Sequence, residues 1–132
     1  MLAGLGEERV AYVSRNDVGA AAAGILLGDD HAGAIYNATG PAVLTGQELA
    51  SVSAEVLSKA IGFAAVPAEQ LRGGLGQAGL PEVVINTIID IKSTFVRGDF
   101  DVLTTDVQRL SGREPKSFRH VLAAVLKQGV KA

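Results

Sequence analysis

The stretch Tyr36–Gly62, YNATGPAVLTGQELASVSAEVLSKAIG, leaves this chain few folds to choose from. It reads as a strand, a turn and a helix with a complete start signal. Thr45 is placed to cap the amide of Glu48, and Glu48 to reach back to the amide of Thr45. Leu44 and Leu49 stand where a hydrophobic staple closes over that turn. Leu49, Val52, Val56, Leu57 and Ala60 then share one face at helical spacing. Gly62 is expected to end the helix in a left-handed cap. Upstream, Ala34–Ala38 is a short β-type run, stopped by Gly40-Pro41. On pattern alone this is a βα unit, and a βα unit by itself implies no activity.

The segment before it repeats the logic. Arg9–Val13 reads as a strand. Ser14 with Asp17 three residues on is a second capping signature, with Val13 and Val18 at staple positions. The pattern predicts a helix from Arg15 to Leu27, ended by Gly28. Gly19, Ala20, Ala21, Ala22, Ala23 and Gly24 make that helix small-sided, so it should approach a neighbouring backbone closely. Strand, helix, strand and helix over residues 9–62 predict parallel pairing of 9–13 with 34–38 through a right-handed crossover.

Composition bounds the rest. A chain of 132 residues fits one domain, and 48% hydrophobic with 20% charged residues is a globular balance. Aromatics are only 5% and Trp is absent, so Ala, Val and Leu must build the core. A net charge of −2 gives no reason to expect nucleic acid. The charge is uneven: residues 109–132 carry +5 and the first 108 carry −7. The basic run reads first as a solvated helix face. With no cysteine, disulfides and thiol chemistry are excluded. Met1–Glu8, Gly-rich and acidic, has no basic flank and apolar core, so it is no signal peptide. Val18–Leu27 is about half the length of a membrane span. A soluble, cytoplasmic protein is expected.

Downstream, Phe63–Pro67 is a further strand candidate, and Pro67-Ala68-Glu69 opens a helix faced by Leu71, Leu75 and Ala78. Its glycines predict a short, bent or mobile element. Gly74-Leu75-Gly76-Gln77-Ala78-Gly79 matches the dinucleotide pattern G-x-G-x-x-G. That motif needs a strand running straight into the glycines, and here the strand ends at Pro67. A helix end and turn is the better reading. Pro81–Arg97 is the strongest helix by large apolar side chains. Val84, Ile88, Ile91 and Phe95 form one stripe, and Ile85, Ile89 and Val96 another. An arc this wide predicts burial against more than one neighbour. Gly98 ends it. Thr104–Leu110 is a short helix capped by Thr104 or Thr105. After a polar loop, Phe118, Val121, Leu122, Val125 and Leu126 face a last helix that Gly129 ends.

Catalytic signals are sparse. His31 and His120 have no Ser, Cys or second His at a recognisable spacing, and each reads as a solvated surface residue. Asp99 and Asp101 lack further ligands, so no metal is expected. Tyr12 and Tyr36 have no Lys four residues on, so a Y-x-x-x-K dyad is absent. The residues designate no catalytic or cofactor-binding group. The Tyr36–Gly40 strand end is the one place that could border a ligand, because such crevices lie at strand carboxyl ends.

Four stretches together resemble the carboxyl-terminal half of NmrA-like proteins, atypical short-chain dehydrogenases that include NAD(P)H:quinone oxidoreductases. They are Val13-Ser14-Arg15-Asn16-Asp17-Val18; Tyr36–Pro41 with Leu44-Thr45 and Glu48-Leu49; Ala78-Gly79-Leu80-Pro81-Glu82; and Leu110–Arg119, LSGREPKSFR. The resemblance spans roughly residues 9–126. It implies an α/β fold: the last βαβ part of a Rossmann-like parallel sheet (1–62) plus a mostly helical substrate-side region (63–132). The amino-terminal nucleotide-binding half would lie upstream. It further implies NADP or NAD in the full-length parent, none for this chain alone, and a quinone-like acceptor. The implied substrate pocket comprises Tyr36, Thr39, Leu80, Val84 and Ile88, and the Leu110–Arg119 element would dock the tail on the body. Alone, such a chain should be inactive and expose apolar surface, associating with itself or with an amino-terminal fragment. A non-catalytic redox-sensing or partner-binding module is the alternative the resemblance allows. Neither nucleic acid nor membrane is an expected partner.

Overall fold

The structure, a computed structural model, describes residues 1–129, so Lys131 of the basic tail lies outside the described residues. Two compact units interleave along the chain. One is built from Met1–Val10 and Leu44–Asp101, the other from Ala11–Val43 and the residues after Asp101. The fold is α/β, mostly helical with a short parallel sheet.

In the first unit, β1 (Leu2–Gly4) pairs in parallel with β4 (Phe63–Ala65), with Leu2 opposite Phe63 and Gly4 opposite Ala65. β2 (Arg9–Val10) pairs antiparallel with β3 (Leu44–Thr45). The parallel pair exists because two glycines make room for the Phe63 ring. A Cβ on Gly46 would come within 2.5 Å of that ring, and one on Gly4 within 2.7 Å. Helix α2 (Gly46–Leu57) starts with the complete capping box: the Thr45 amide donates to Glu48 Oε2 at 2.8 Å, and the Glu48 amide to the Thr45 hydroxyl at 3.2 Å. Its end differs from expectation. Ser58, at φ 52°, takes the left-handed cap, not Gly62. Residues 58–62 instead carry the chain to the sheet, where the Leu2 amide donates to the Gly62 carbonyl at 2.8 Å. Helices α3 (Ala68–Gln77) and α4 (Glu82–Arg97) form a hairpin through Gly79, at φ 82°, and are tied by Arg72 to Asn86 Oδ1 at 2.8 Å. Gly98, at φ 84°, ends α4. Only Ile85 of α4 is buried, so the expected burial of both stripes is not met within this unit.

In the second unit, α1 (Arg15–Leu27) begins and ends at the expected residues, with the Ser14 hydroxyl accepting from the Asp17 amide. Its small face packs on α5 (Asp106–Ser111) so closely that a Cβ on Gly24 would stand 1.8 Å from the Leu110 carbonyl oxygen. Ala21 and Val107 are the apolar core of this contact. Helix α6 (Phe118–Lys127) is capped by the Ser117 hydroxyl, which accepts from the His120 amide, and its Phe118 ring lies 6.0 Å from that of Tyr12.

The expected parallel pairing of 9–13 with 34–38 does not form. β2 stops at Val10 and pairs with β3, and among the described residues Ala34–Ala38 joins no ladder. A strand's amides and carbonyls must be met by some partner. Here they are met by side chains and isolated contacts: the Asn37 amide donates to Asp106, and the Asn37 carbonyl accepts from the Thr104 hydroxyl. The Gly40 amide donates to the Ala11 carbonyl.

Candidate functional site

The Tyr36–Gly40 segment is held by the run that leads into α5. Thr39 is buried, and its hydroxyl accepts from the Thr104 amide at 3.1 Å and lies 3.2 Å from the Thr104 carbonyl. The Thr104 hydroxyl donates to the Asn37 carbonyl at 2.5 Å and accepts from the Asp106 amide at 3.3 Å. Asp106 completes the stitch: Oδ2 accepts from the Asn37 amide at 2.9 Å, while Oδ1 faces Arg109 at 3.4 Å. Gly40 is required at its position, since a Cβ would lie 1.8 Å from the Tyr12 carbonyl oxygen.

Beside this stitch runs an open groove of about 670 Å³, walled by Gly40, Pro41, Thr104, Asp106, Arg109 and Glu114, among others. Hydroxyls, a guanidinium and two carboxylates can orient a polar ligand there. Asp106, Thr104 and Arg109 were missed as site residues in the sequence, where Thr104-Thr105-Asp106 signals only a helix start.

The expected pocket residues are divided between the units. Tyr36 is half-buried and faces a smaller cavity of about 160 Å³ with Val18, Ala21 and Val107. Its hydroxyl lies 2.7 Å from His31 Nδ1, and the two rings meet edge-on at 5.8 Å. His31 is therefore a partnered side chain, contrary to the solvated reading. Its ring sits over Gly28, where a Cβ would be 2.8 Å from Nε2. His120 is exposed, as expected. Thr39 belongs to the stitch, with its hydroxyl already engaged. Leu80, Val84 and Ile88 lie in the first unit, spaced by four along the turn into α4. Leu80 and Val84 are partly exposed and Ile88 is half-buried.

Beside the contacts of Leu110 with Gly24 and of Phe118 with Tyr12, the Leu110–Arg119 element is tied down by one carboxylate. Asp17 has no exposed surface; Oδ2 accepts from the Lys116 amide at 2.8 Å and the Ser14 hydroxyl at 2.7 Å, and Oδ1 stands 3.7 Å from Arg113. Burial pushes the Asp17 pKa up. The Lys116 amide, the Ser14 hydroxyl and the charges of Arg113 and Lys116 outweigh it and hold the group below its ordinary value.

No dinucleotide cradle fits the glycine-rich stretch. Gly74–Gln77 are residues of α3, so their amides are committed to a helix end and not to a phosphate loop. Among the described residues no cluster of three potential metal ligands occurs, and no helix is long and apolar enough to cross a membrane.

No protein-family model matches the chain. Among known proteins it is 24% identical over 114 residues to an NAD(P)H azoreductase of Xenophilus azovorans. It is 25% identical to the prestalk A differentiation protein A of Dictyostelium discoideum. It is 29% identical to a (4-alkanoyl-5-oxo-2,5-dihydrofuran-3-yl)methyl phosphate reductase of Streptomyces griseus. Each match covers 86% of this chain, which spans about two fifths of the length of these relatives. Among solved structures, triphenylmethane reductase of Citrobacter sp. superposes with a TM-score of 0.86 at 27% identity, over 96% of this chain and 44% of that one. An NADPH-dependent quinone oxidoreductase of Escherichia coli superposes with a TM-score of 0.88 over 95% of this chain and 44% of that one; at 20% identity this speaks for the fold alone. In fold and sequence the chain thus resembles part of an NAD(P)H azoreductase and of triphenylmethane reductase, and in fold alone part of an NADPH-dependent quinone oxidoreductase, in line with the resemblance to NmrA-like proteins, and it spans less than half of each.

Proposed function

We propose that this chain is the carboxyl-terminal, substrate-side portion of an NAD(P)H-dependent quinone oxidoreductase and is inactive by itself. The observation that carries the reading is the near-complete superposition on triphenylmethane reductase, which uses 96% of this chain but 44% of that one. The helical commitment of Gly74–Gln77 supports it, because the chain then leaves dinucleotide binding to another segment. A second structure of the Citrobacter enzyme is complexed with NADP(H), which favours NADP or NAD in a full-length parent. In this reading residues 1–62 supply terminal elements of a Rossmann-like body and 63–132 the substrate side. Within the first unit, Leu80, Val84 and Ile88 are the residues this reading sets against a flat, quinone-like acceptor. The protein works in the cytoplasm. The exposed apolar residues of α4, among them Val83 and Ile91, are covered by an amino-terminal segment or by a second copy.

Calorimetric titration with NADPH and NADH tests this. The isolated chain should give no binding heat, whereas joining it to an upstream nucleotide-binding half should give quinone-dependent NADPH oxidation. Stoichiometric NADPH binding by the isolated chain would overturn the reading. The likeness to the Dictyostelium protein, named for differentiation and not for a reaction, favours a second reading as a non-catalytic redox-sensing or partner-binding module. Saturable turnover by the joined protein would reject it.

A further inference from the structure

The first unit holds a second cleft, unrelated to the groove beside Gly40. It has a volume of about 380 Å³ and is lined by Gly6, Glu7, Glu8, Thr45, Gln47 and Phe63, among others. It opens where the parallel strands β1 and β4 end, the side on which open α/β sheets take ligands.

Glu8 is the unusual residue in its wall. Its side chain is 3% exposed, and Oε2 holds Lys92 Nζ at 3.0 Å. Oε1 is sealed from solvent and has no hydrogen-bond partner. It sits over Gly4, where a Cβ would meet it at 2.3 Å and the edge of the Phe63 ring at 2.7 Å. A buried carboxylate oxygen without a donor is unfavourable until one meets it.

The surroundings select the donor. The anion-attracting start of α2 is already answered from within, by the Thr45 hydroxyl and the Glu48 carboxylate. The nearby cation Arg9 is committed to Asp101 at 2.8 Å. Glu7 adds negative charge at the cleft, so an anion is disfavoured. A metal ion is disfavoured too: two carboxylates line the cleft, one already paired, and its wall includes the Phe63 ring. A hydrogen-bonding cation attached to an apolar body satisfies both the free oxygen and the ring. We propose that this cleft binds a small arylalkylamine, its ammonium group donating to Glu8 Oε1 with Glu7 as outer charge and its ring beside Phe63. Because Oε1 is sealed, binding displaces the edge of the Phe63 ring. The proposal rests on the first unit alone and stands apart from the reductase reading.

The test is an NMR titration of the 132-residue chain with benzylammonium, its neutral isostere benzyl alcohol, and benzoate. Benzylammonium should shift the Gly6 and Gln47 amides and the Phe63 ring resonances saturably, with the other two at least about tenfold weaker. Glu8→Gln should abolish the preference. Because Glu8→Gln could also unfold the unit, the exposed Gln47 supplies the decisive pair. Gln47→Glu should tighten benzylammonium about two- to threefold, and Gln47→Arg weaken it about tenfold. Equal binding of benzyl alcohol, indifference to the charge at position 47, or no saturable shift would each overturn the proposal.

Discussion

Helix α1 buries a carboxylate completely, while α4, the helix with the most large apolar side chains, buries only Ile85. Each lies in its own unit, and the contrast shows what burial depends on. Along α1 the neighbour is specified atom by atom: Gly24 under the Leu110 carbonyl, and Asp17 met by an amide, a hydroxyl and a guanidinium. Along α4 the apolar residues outnumber what the first unit brings to cover them, and Val83 stays 75% exposed. Apolar content measures the demand for a partner, whereas burial measures its supply.

The largest effect should come from removing the fit along α1. Gly24→Val drives a side chain into the Leu110 backbone, and the expected loss is about 3 kcal/mol or more in urea unfolding. A loss below about 1 kcal/mol would mean that α1 and α5 are not in close contact. Next is Asp17→Ala, which strips the Lys116 amide of its acceptor and α1 of its first-turn acid; about 2–3 kcal/mol is expected. This effect has a pH signature. The folded pKa of Asp17 lies below its ordinary value of 3.8, so its stabilisation is complete above that pH and is lost as pH falls through the lower folded value. The gap between wild type and Asp17→Asn should therefore be constant near neutrality and close only in strong acid. A gap that closes near pH 6 would assign the stabilisation to another group.

Thr45→Ala breaks the capping box of α2 and should cost about 1 kcal/mol. The smallest effect on stability belongs to α4. Val83→Ser should change the free energy of urea unfolding by less than about 0.5 kcal/mol, because the site is already wet. The same substitution should reduce concentration-dependent association in sedimentation if α4 is a covered surface. Loss of stability at the core scale would show that Val83 is packed after all.

Local signals were readable wherever a few neighbouring residues settle the outcome. Ser14 and Asp17 set the start of α1, and Thr45 with Glu48 that of α2. Gly98 met its stated role because the left-handed backbone after α4 needs a residue without Cβ. The same rule misplaced the end of α2. Gly62 looks like its cap, but Ser58 takes the left-handed turn because the chain must reach β1 in register. The Ala34–Ala38 run has β-type residues and still joins no ladder, since a strand requires a partner and propensity cannot supply one. Of the Tyr36–Gly40 segment Gly40 lines the groove, while Thr104, Asp106 and Arg109 wall it from about 65 residues away, beyond any local pattern.

The sequence by itself determined the helices, most of their caps, the helical fate of the glycine-rich stretch and the likeness to NmrA-like reductases. The first three rest on spacing within about ten residues, whereas the likeness rests on four stretches spread over residues 9–126. The tertiary structure alone decided which strands pair and where the polar atoms of residues 36–40 go. It also decided that a buried Asp17 helps to anchor the Leu110–Arg119 element, and that Glu8 is buried with one oxygen unanswered. Those outcomes depend on contacts between distant segments, where sterics at glycines and the hydrogen-bonding demands of buried polar groups choose among arrangements that local sequence leaves equal.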